Sequence, residues 1–252
     1  RPDKLDLDLP KMQHVLKDSG ARAVLTTTGY LWSMRAHGFL HAIKGMVSCK
    51  RQRAGCCDRL DGVSWYSTTS IRAADYTSLV ASEVPIPSSS DTAFLQYTSG
   101  STADPKGVVI THSSLMHNML VIVTALRAKS ETIVVSWLPQ FHDMGLIGSS
   151  LALLFCGGSG YYISPLAFIQ DPLLWMRLVS HFKATHLQGP NFSYTLCAKR
   201  ALAWKRSRAK APLNLDLSSI KHIFNAAEPV RSETIKMFQE TFEPHGFNAK
   251  AM

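Results

Sequence analysis

Helix-like and strand-like hydrophobic patterns alternate along most of the chain. Short β-rich apolar runs between turn residues indicate strands, and apolar residues that recur every three to four positions indicate helices. The predicted helices are 9–18, 113–128, 172–182, 192–206 and 232–242, and the predicted strands are 23–28, 63–67, 92–97, 108–111, 132–137, 161–163, 184–187 and 220–225. This alternation is typical of βα units that build a mostly parallel sheet, so we predict an α/β fold.

Turn and capping residues mark the limits of several elements. Gly20 follows the first predicted helix as a C-cap, and Asp171 with Pro172 supplies an N-cap and a first helical position. Residues 82–91 are rich in proline and serine, which predicts a linker or surface loop.

The uncharged run over residues 144–170 is long enough to be tested as a membrane span. Glycine, serine and proline interrupt this run and leave only residues 151–155 densely apolar. We therefore predict a buried helix followed by a buried strand, and no transmembrane segment.

Composition excludes a disordered chain. The 252 residues are 46% apolar and 18% charged, which is typical of a globular protein. The five cysteines have no Cys-x-x-Cys spacing and no signal peptide opens the chain, so we expect an intracellular, cytoplasmic protein. Because the chain begins at Arg1 without an initiator methionine, a targeting signal further upstream stays an open alternative.

Basic residues outnumber acidic ones by 27 to 18, a formal net charge of +9. The excess lies mainly in residues 44–59 and 199–210 and would suit an anionic partner such as a nucleotide or an acidic carrier protein. A solvated loop and a solvated helix end are the plainer interpretation. No aromatic-interleaved or zinc-finger pattern accompanies the charge, so we expect no nucleic-acid partner.

A loop rich in hydroxyl groups lies between predicted strands 92–97 and 108–111. The sequence of residues 96–108 is QYTSGSTADPKGV. Hydroxyls and backbone N–H groups that converge with one ammonium group form a nest for phosphate oxygens. The segment is not a Walker A loop, because Lys106 precedes its glycine and no helix start follows. A polar hairpin is the alternative interpretation.

This segment resembles the phosphate-binding signature of adenylate-forming enzymes, the superfamily of acyl-coenzyme A synthetases, luciferases and peptide-synthetase adenylation domains. Residues 136–146, SWLPQFHDMGL, resemble the second core motif in the form typical of fatty acyl-AMP ligases. Residues 224–230, FNAAEPV, resemble the adenine-contacting segment of the same subgroup. The resemblance extends across residues 1–252 and implies the large N-terminal domain of these enzymes, with stacked, mostly parallel sheets flanked by helices.

The resemblance also implies an activity. A fatty-acid carboxylate would attack the α-phosphate of ATP, pyrophosphate would leave, and the acyl-adenylate would pass its acyl group to an acyl carrier protein or a polyketide or peptide synthase. An acyl-coenzyme A synthetase and a non-catalytic nucleotide- or lipid-binding module are the alternatives.

The residue roles implied by the resemblance fall into four groups. His142 and Lys106 would be catalytic, by electrostatics and positioning. The nucleotide would be bound by Thr98, Ser99, Gly100, Ser101, Thr102, Lys106, Ala227, Glu228 and Pro229. The substrate would be bound by His142, Met144, Gly189, Phe192, Asn225 and Ala226. Mg²⁺ would bridge phosphate oxygens next to Thr102. Ordinary structural roles are the alternatives for His142 and for the turn at 227–229, and Asp143 is expected to cap the helix that follows it.

Two departures from the family pattern limit these expectations. Ala103 stands where the phosphate loop usually has glycine. The family's later Tyr-Gly-x-x-Glu motif, its ribose-binding aspartate and its mobile C-terminal domain with a catalytic lysine are not found within residues 1–252. We therefore expect a partial AMP-binding domain that has little or no ligase activity by itself.

Overall fold

The computed structural model describes residues 5–34, 63–70, 85–98, 104–207 and 211–252. The chain divides into two compact units, Arg1–Leu115 and Met116–Met252.

Among its described residues, the first unit contains helix α1 (Leu5–Ser19), a helical segment at residues 28–34 and two pairs of strands. Strands β1 and β2 pair in parallel, and β3 pairs with β4 as an antiparallel hairpin. Gly20 closes the helix with a φ of +64°, a backbone conformation that glycine adopts at little cost, so the predicted C-cap is confirmed. The elements are α1 (Leu5–Ser19), β1 (Ala23–Thr26), β2 (Ser64–Ser67), a 3₁₀ turn (Thr68–Ser70), β3 (Thr92–Tyr97) and β4 (Gly107–Thr111).

The second unit is built around a four-stranded parallel sheet in the order β6-β5-β7-β8. Helices connect its strands, so the predicted α/β class is confirmed. The elements are α2 (His112–Ala125), β5 (Ile133–Ser136), a π-helix (Met144–Leu151), α3 (Ala152–Cys156), β6 (Ser159–Tyr162), α4 (Pro165–Gln170), α5 (Pro172–Phe182), β7 (His186–Pro190), α6 (Asn191–Arg206), β8 (His222–Ala226) and α7 (Ser232–Phe242). The first residues of α2 belong to the first unit, and 3₁₀ turns follow at Glu243–His245 and Ala249–Ala251.

Aromatic and aliphatic side chains from the helices form the core of the second unit against the sheet. Trp175, Tyr194 and Phe238 are fully buried and belong to one apolar cluster with Val135 and Leu187. The indole N–H of Trp175 donates to the carbonyl oxygen of Val135 at 2.8 Å, which satisfies the one polar atom of that side chain. Burying each of these side chains contributes about 1.5–3 kcal/mol, so this cluster holds the strand ends firmly.

Three local predictions are wrong. The strand predicted as buried after residue 151 is β6, whose four residues are all exposed because β6 is an edge of the sheet among the described residues. Asp143 makes no capping hydrogen bond, and a π-helix rather than an ordinary α-helix follows it. Asp171 occupies the N-cap position of α5, but its carboxylate pairs with Arg177 and not with a backbone N–H.

The described part of the predicted linker, residues 85–91, is exposed and has no regular structure apart from a turn. In that turn the backbone N–H of Ser88 donates to the carboxylate of Asp91 at 2.7 Å. Among the described residues, the helices are all too short or too polar to cross a membrane.

Candidate active site

The hydroxyl-rich loop is closed at its base by Thr98 and Lys106. The backbone N–H of Thr98 donates to the carbonyl of Lys106 at 3.0 Å, and the N–H of Lys106 donates to Oγ1 of Thr98 at 3.3 Å. The hairpin therefore extends one pair beyond the Tyr97–Gly107 register. A Cβ at Gly107 would lie 2.9 Å from the Tyr97 ring, so a larger residue next to the lysine would displace that ring. Lys106 is exposed, and no carboxylate among the described residues pairs with it.

Helix α1 holds this hairpin at two points. The Tyr97 hydroxyl donates to the carboxylate of Asp18 at 2.6 Å, and Nε2 of His14 lies 3.1 Å from the carbonyl oxygen of Pro105. The hydrogen bond to Asp18 raises the pKa of the Tyr97 phenol, so the phenol stays a donor at neutral pH. The two contacts lie on opposite sides of the loop and fix its base to a regular element.

The tip of the loop lies outside the described residues. Ser99, Gly100, Ser101 and Thr102 belong to this part, so their predicted contacts with phosphate and with Mg²⁺ stay predictions. Over the ranges that the structure describes, no three His, Cys, Asp or Glu side chains form a metal-binding group.

His142 lies in a tight turn between β5 and the π-helix. The backbone N–H of His142 donates to Pro139 at 3.1 Å, and its carbonyl accepts from Gly145 and Leu146 at 2.9 and 2.8 Å. The N–H of Met144 donates to Nδ1 of the imidazole at 3.4 Å. Because Nδ1 is an acceptor, the neutral ring carries its proton on Nε2, which makes Nε2–H a donor for an oxygen of a substrate.

Gly145 fits the turn because it has no side chain. A Cβ at this position would lie 2.1 Å from the carbonyl oxygen of Pro139, which no rotamer change can relieve. The π-helix that begins at Met144 is a rare element that is frequent at functional sites. The Met144 side chain is partly buried and packs against the core, and its predicted substrate contact stays a prediction.

A buried polar network links the π-helix to the ends of β5 and β7. Nε2 of Gln188 donates to Oγ of Ser149 at 2.8 Å, and Ser149 lies 3.0 Å from Oγ of Ser136. Oγ of Ser136 accepts from the backbone N–H of Leu138 at 3.2 Å. The hydroxyl of Tyr162 donates to the carbonyl of Ser149 at 2.8 Å. The network therefore holds the start of the turn that carries His142.

Gly189 and Phe192 lie where β7 passes into α6. A Cβ at Gly189 would lie 2.6 Å from Oγ of Ser193, so the strand end and the first helical turn can approach closely only at a glycine. The Phe192 ring is 39% exposed and meets the ring of Trp137 edge-on, with centroids 5.8 Å apart. These residues form a partly open apolar wall.

The segment that follows β8 is held in an unusual backbone conformation. Ala227 has a φ of +71°, which L-residues other than glycine rarely adopt. A carboxylate oxygen of Glu228 accepts from the backbone N–H of Phe192 at 2.6 Å. Oδ1 of Asn225 is buried and finds no donor among the described residues. Ala226 ends the strand, and Pro229 is exposed beyond it.

Parallel pairing brings these segments to one edge of the sheet. The carboxyl ends of neighbouring parallel strands meet at the same edge, where α/β proteins commonly bind ligands. His142 follows β5, Gly189 and Phe192 lie at the end of β7, and Ala227 follows β8. The second unit therefore assembles the predicted substrate side and the predicted adenine side of the site next to each other.

Sequence reasoning missed several residues that shape this edge. Ser149, Gln188 and Asn191 are buried polar side chains whose partners lie 13 to 43 positions away in the chain. No local pattern marks such contacts. Ser136 could have been found, since it begins the motif that carries His142.

Buried titratable groups of the second unit include His186, Tyr194 and Cys197, and the hydroxyl of Tyr194 donates to the carbonyl of Phe224 beside this edge at 3.1 Å. Burial lowers the pKa of His186, the first residue of β7, and burial raises the pKa of Tyr194 and of the Cys197 thiol. All three are therefore neutral at neutral pH, and they act as packing and hydrogen-bonding groups.

Comparison with known proteins agrees with the family that the sequence motifs indicate. The family described as AMP-binding enzyme matches residues 4–249. The medium-chain-fatty-acid–[acyl-carrier-protein] ligase JamA of Moorena producens is 36% identical over 252 residues, which is 100% of this chain and 38% of that protein. The corresponding ligase TtuA of Teredinibacter turnerae is 44% identical over 162 residues, 64% of this chain and 24% of that protein.

A solved structure is also similar. The fatty acyl-adenylate ligase from L. pneumophila in complex with acyl adenylate and pyrophosphate has a TM-score of 0.75 and 34% identity, over 96% of this chain and 38% of that chain. The chain thus spans well under half the length of the relatives that it matches. With the family match extending over nearly all of its residues, the chain belongs to the AMP-binding enzyme family.

Proposed function

We propose that the intact protein containing this chain activates a fatty acid with ATP and transfers the acyl group to an acyl carrier protein or a synthase. One observation carries the proposal. The turn with His142, the apolar wall at Phe192 and the strained segment at Ala227 converge at one sheet edge, in a chain 34% identical to a ligase solved with acyl adenylate and pyrophosphate. In this proposal residues 1–252 are part of one adenylation domain.

The first step makes one bond and breaks one. A carboxylate oxygen of the fatty acid forms a bond to the α-phosphorus of ATP, and the bond from that phosphorus to the bridging oxygen of pyrophosphate breaks. In-line displacement at phosphorus requires mainly positioning and charge neutralisation from the protein. Nε2–H of His142 would donate to a carboxylate or α-phosphate oxygen, and the exposed ammonium group of Lys106 would neutralise departing phosphate charge.

The nucleotide side is supported by the segment after β8. The buried Oδ1 of Asn225 is an acceptor without a donor, and the amino group of adenine would supply one. In this proposal Mg²⁺ would be held mainly by phosphate oxygens, with Thr102 nearby, and would neutralise their charge.

Different observations support the proposed site for the fatty-acid chain and the proposed acceptor of the acyl group. The partly exposed Phe192 and the close approach at Gly189 suit an apolar chain entering beside the strand end. The acceptor is proposed as a carrier protein because two relatives are named fatty-acid–[acyl-carrier-protein] ligases.

Exchange of labelled pyrophosphate into ATP tests the activation step in the intact protein. We expect exchange that depends on added fatty acid, and a fall of at least about 100-fold in Lys106→Ala, which loses charge stabilisation of the transition state. Lys129→Ala, which removes an equally exposed lysine outside the motifs, is the matched control and keeps full exchange. No exchange with saturated acids of any chain length would overturn the proposal.

The acyl acceptor is then identified with the same protein and fatty acid. After exchange is established, holo acyl carrier protein and coenzyme A are offered separately, and acylated products are measured by mass spectrometry. Acyl transfer to the carrier protein supports the proposal, whereas transfer to coenzyme A alone would replace that part of it.

A further inference from the structure

Residues 225–231, which include the end of β8 and the segment after it, are held at both ends by the first turn of α6. At one end, Oδ1 of Asn191 accepts from the side-chain amide of Asn225 at 3.4 Å, and at the other end from the backbone N–H of Arg231 at 3.2 Å. Between them, the carboxylate of Glu228 accepts from the N–H of Phe192 at 2.6 Å. Residues 225–231 are therefore closed onto two consecutive residues of one helix.

The Asn191 side chain is buried and also contacts helix α7. The side chain is 5% exposed, and its Nδ2 donates to Oγ1 of Thr234 in α7 at 3.1 Å. Thr234 also lies 2.9 Å from Oγ1 of Thr195, one turn further along α6. The amide thus joins α6, the end of β8 and α7.

The start of helix α6 also favours a negative charge where the Glu228 carboxylate lies. The N–H groups at the start of a helix lack partners inside the helix, and the helix dipole favours a negative charge there. The Glu228 carboxylate fills this position at the N–H of Phe192. Its contact stabilises the strained conformation of the preceding Ala227, whose φ is +71°.

The same helical turn also carries Phe192, which belongs to the partly open apolar wall. The Phe192 ring lies edge-on to Trp137, and the helix start packs against Gly189 through Ser193. A fatty acid that packs against this wall would contact the turn whose backbone and Asn191 side chain hold the adenine segment. The first turn of α6 would then contribute both to the contact with the fatty acid and to the contact with the nucleotide.

We propose that the first turn of α6 couples fatty-acid binding to nucleotide binding, with Asn191 and Glu228 as the positioning residues. This inference rests on the proposed function. Each ligand favours one position of the same turn, so the ligand that binds first leaves the turn in the position that the second ligand needs. The coupling is reciprocal, because the same factor must apply to both affinities.

The test measures the affinity of the intact protein for AMP by calorimetry, with and without saturating dodecanoate. We expect dodecanoate to raise the affinity for AMP about tenfold in the wild type. Glu228→Ala should reduce this factor to below about twofold, since the acceptor for the Phe192 N–H is lost. Glu228→Gln keeps an amide oxygen at that place and should retain most of the factor.

Glu233→Ala is the matched control, because it removes the same charge from an exposed position at the start of α7. The control should keep the full tenfold factor. Asn191→Ala should reduce the coupling factor in the same way as Glu228→Ala. Because Asn191 is buried, this substitution lowers stability as well. The variant at the exposed Glu228 is therefore the decisive test of the coupling.

The outcomes separate this inference from the proposed function. If AMP and dodecanoate both bind but do not affect each other, or if Glu228→Ala keeps the wild-type factor, the coupling is overturned and the proposed function stands. If neither AMP nor dodecanoate binds the wild type, the proposed function fails, and the coupling fails with it.

Discussion

Ala227 is an alanine in a conformation that favours glycine. Its φ of +71° places the Cβ close to a backbone carbonyl, at a cost of about 1–2 kcal/mol. Strain of this kind persists where surrounding contacts fix the backbone, and here the contacts of Asn191 and Glu228 do so. The strain lies in the segment predicted to bind the nucleotide, so it agrees with a functional role.

We predict that Ala227→Gly raises the free energy of unfolding by up to about 1 kcal/mol, because relief of strain exceeds the added entropy of glycine in the unfolded chain. Urea denaturation measures the change. Ala226→Gly, in the last residue of β8, is the control and should lower stability instead. Equal losses in the two variants would contradict the account of Ala227.

We predict that Gly145→Ala lowers the free energy of unfolding by about 1–3 kcal/mol and displaces His142. The added Cβ would meet the carbonyl oxygen of Pro139 at 2.1 Å, and only a shift of the backbone can relieve this contact. Denaturant unfolding and pyrophosphate exchange are both measured. Gly29→Ala, where a Cβ has no neighbour within 4 Å, serves as the control. A Gly145→Ala variant as stable and active as that control would contradict the account.

At the scale of elements, the π-helix and its polar contacts determine how the His142 turn is held. Ser149 is fully buried, and its Oγ contacts both Ser136 and Gln188. Removing this hydroxyl would leave the buried amide N–H of Gln188 without its acceptor and would remove one of the two partners of Ser136. The network therefore matters more than any one of its hydrogen bonds.

Ser149→Ala should destabilise the protein by about 1–3 kcal/mol, the usual cost of leaving buried polar groups unpaired. Ser150→Ala is a suitable comparison, because Ser150 is on the same helix, is half-buried and loses only a bond to the carbonyl of Gly145. Its expected loss is about 1 kcal/mol or less. Chemical denaturation compares the two, and a larger loss in Ser150→Ala would contradict the role assigned to the network.

Elements with clear local signals could be predicted from the sequence. The bounds of α5 (Pro172–Phe182) and α7 (Ser232–Phe242) match the prediction, since proline at the first helical position and a strong amphipathic pattern mark them. The short helix α4 was missed, although Ser164 and Pro165 give it the same kind of start signal. Strand β7 begins two residues later than predicted, because strand ends depend on pairing with β5 and β8 rather than on local sequence.

The candidate site could be predicted in part. Motif residues such as His142 and Ala227 were identified because they lie in continuous segments that resemble a family. The contact of Glu228 with Phe192 spans 36 positions, so no periodic pattern reveals it. The π-helix was also unpredictable, since its residues have the same composition as an ordinary buried helix.

At the scale of the whole molecule, the buried His186 and the half-buried His245 make stability depend on pH. Burial lowers the pKa of His186, and nearby His222 and Lys221 lower it further, against the effect of the Leu126 carbonyl. Burial lowers the pKa of His245 in the same direction. The folded state therefore disfavours the charged rings, whereas the unfolded chain takes up protons as pH falls below about 6.5.

The free energy of unfolding should thus be lower at about pH 5.5 than at about pH 7.5. His186→Gln should narrow the difference between the two pH values, because glutamine does not titrate. The control is His181→Gln, which replaces an exposed histidine. Urea unfolding at both pH values gives the comparison, and an undiminished difference in His186→Gln would contradict the assignment.

The central claim is that a carboxylate oxygen becomes bonded to the α-phosphorus of ATP. The most direct measurement uses a fatty acid labelled with ¹⁸O in both carboxylate oxygens, with ATP, the intact protein and hydroxylamine as acyl acceptor. Transfer of the acyl group breaks the carbon–oxygen bond of the adenylate, so the account predicts AMP that carries one ¹⁸O atom. Unlabelled AMP, or labelled phosphate in place of labelled AMP, would contradict it.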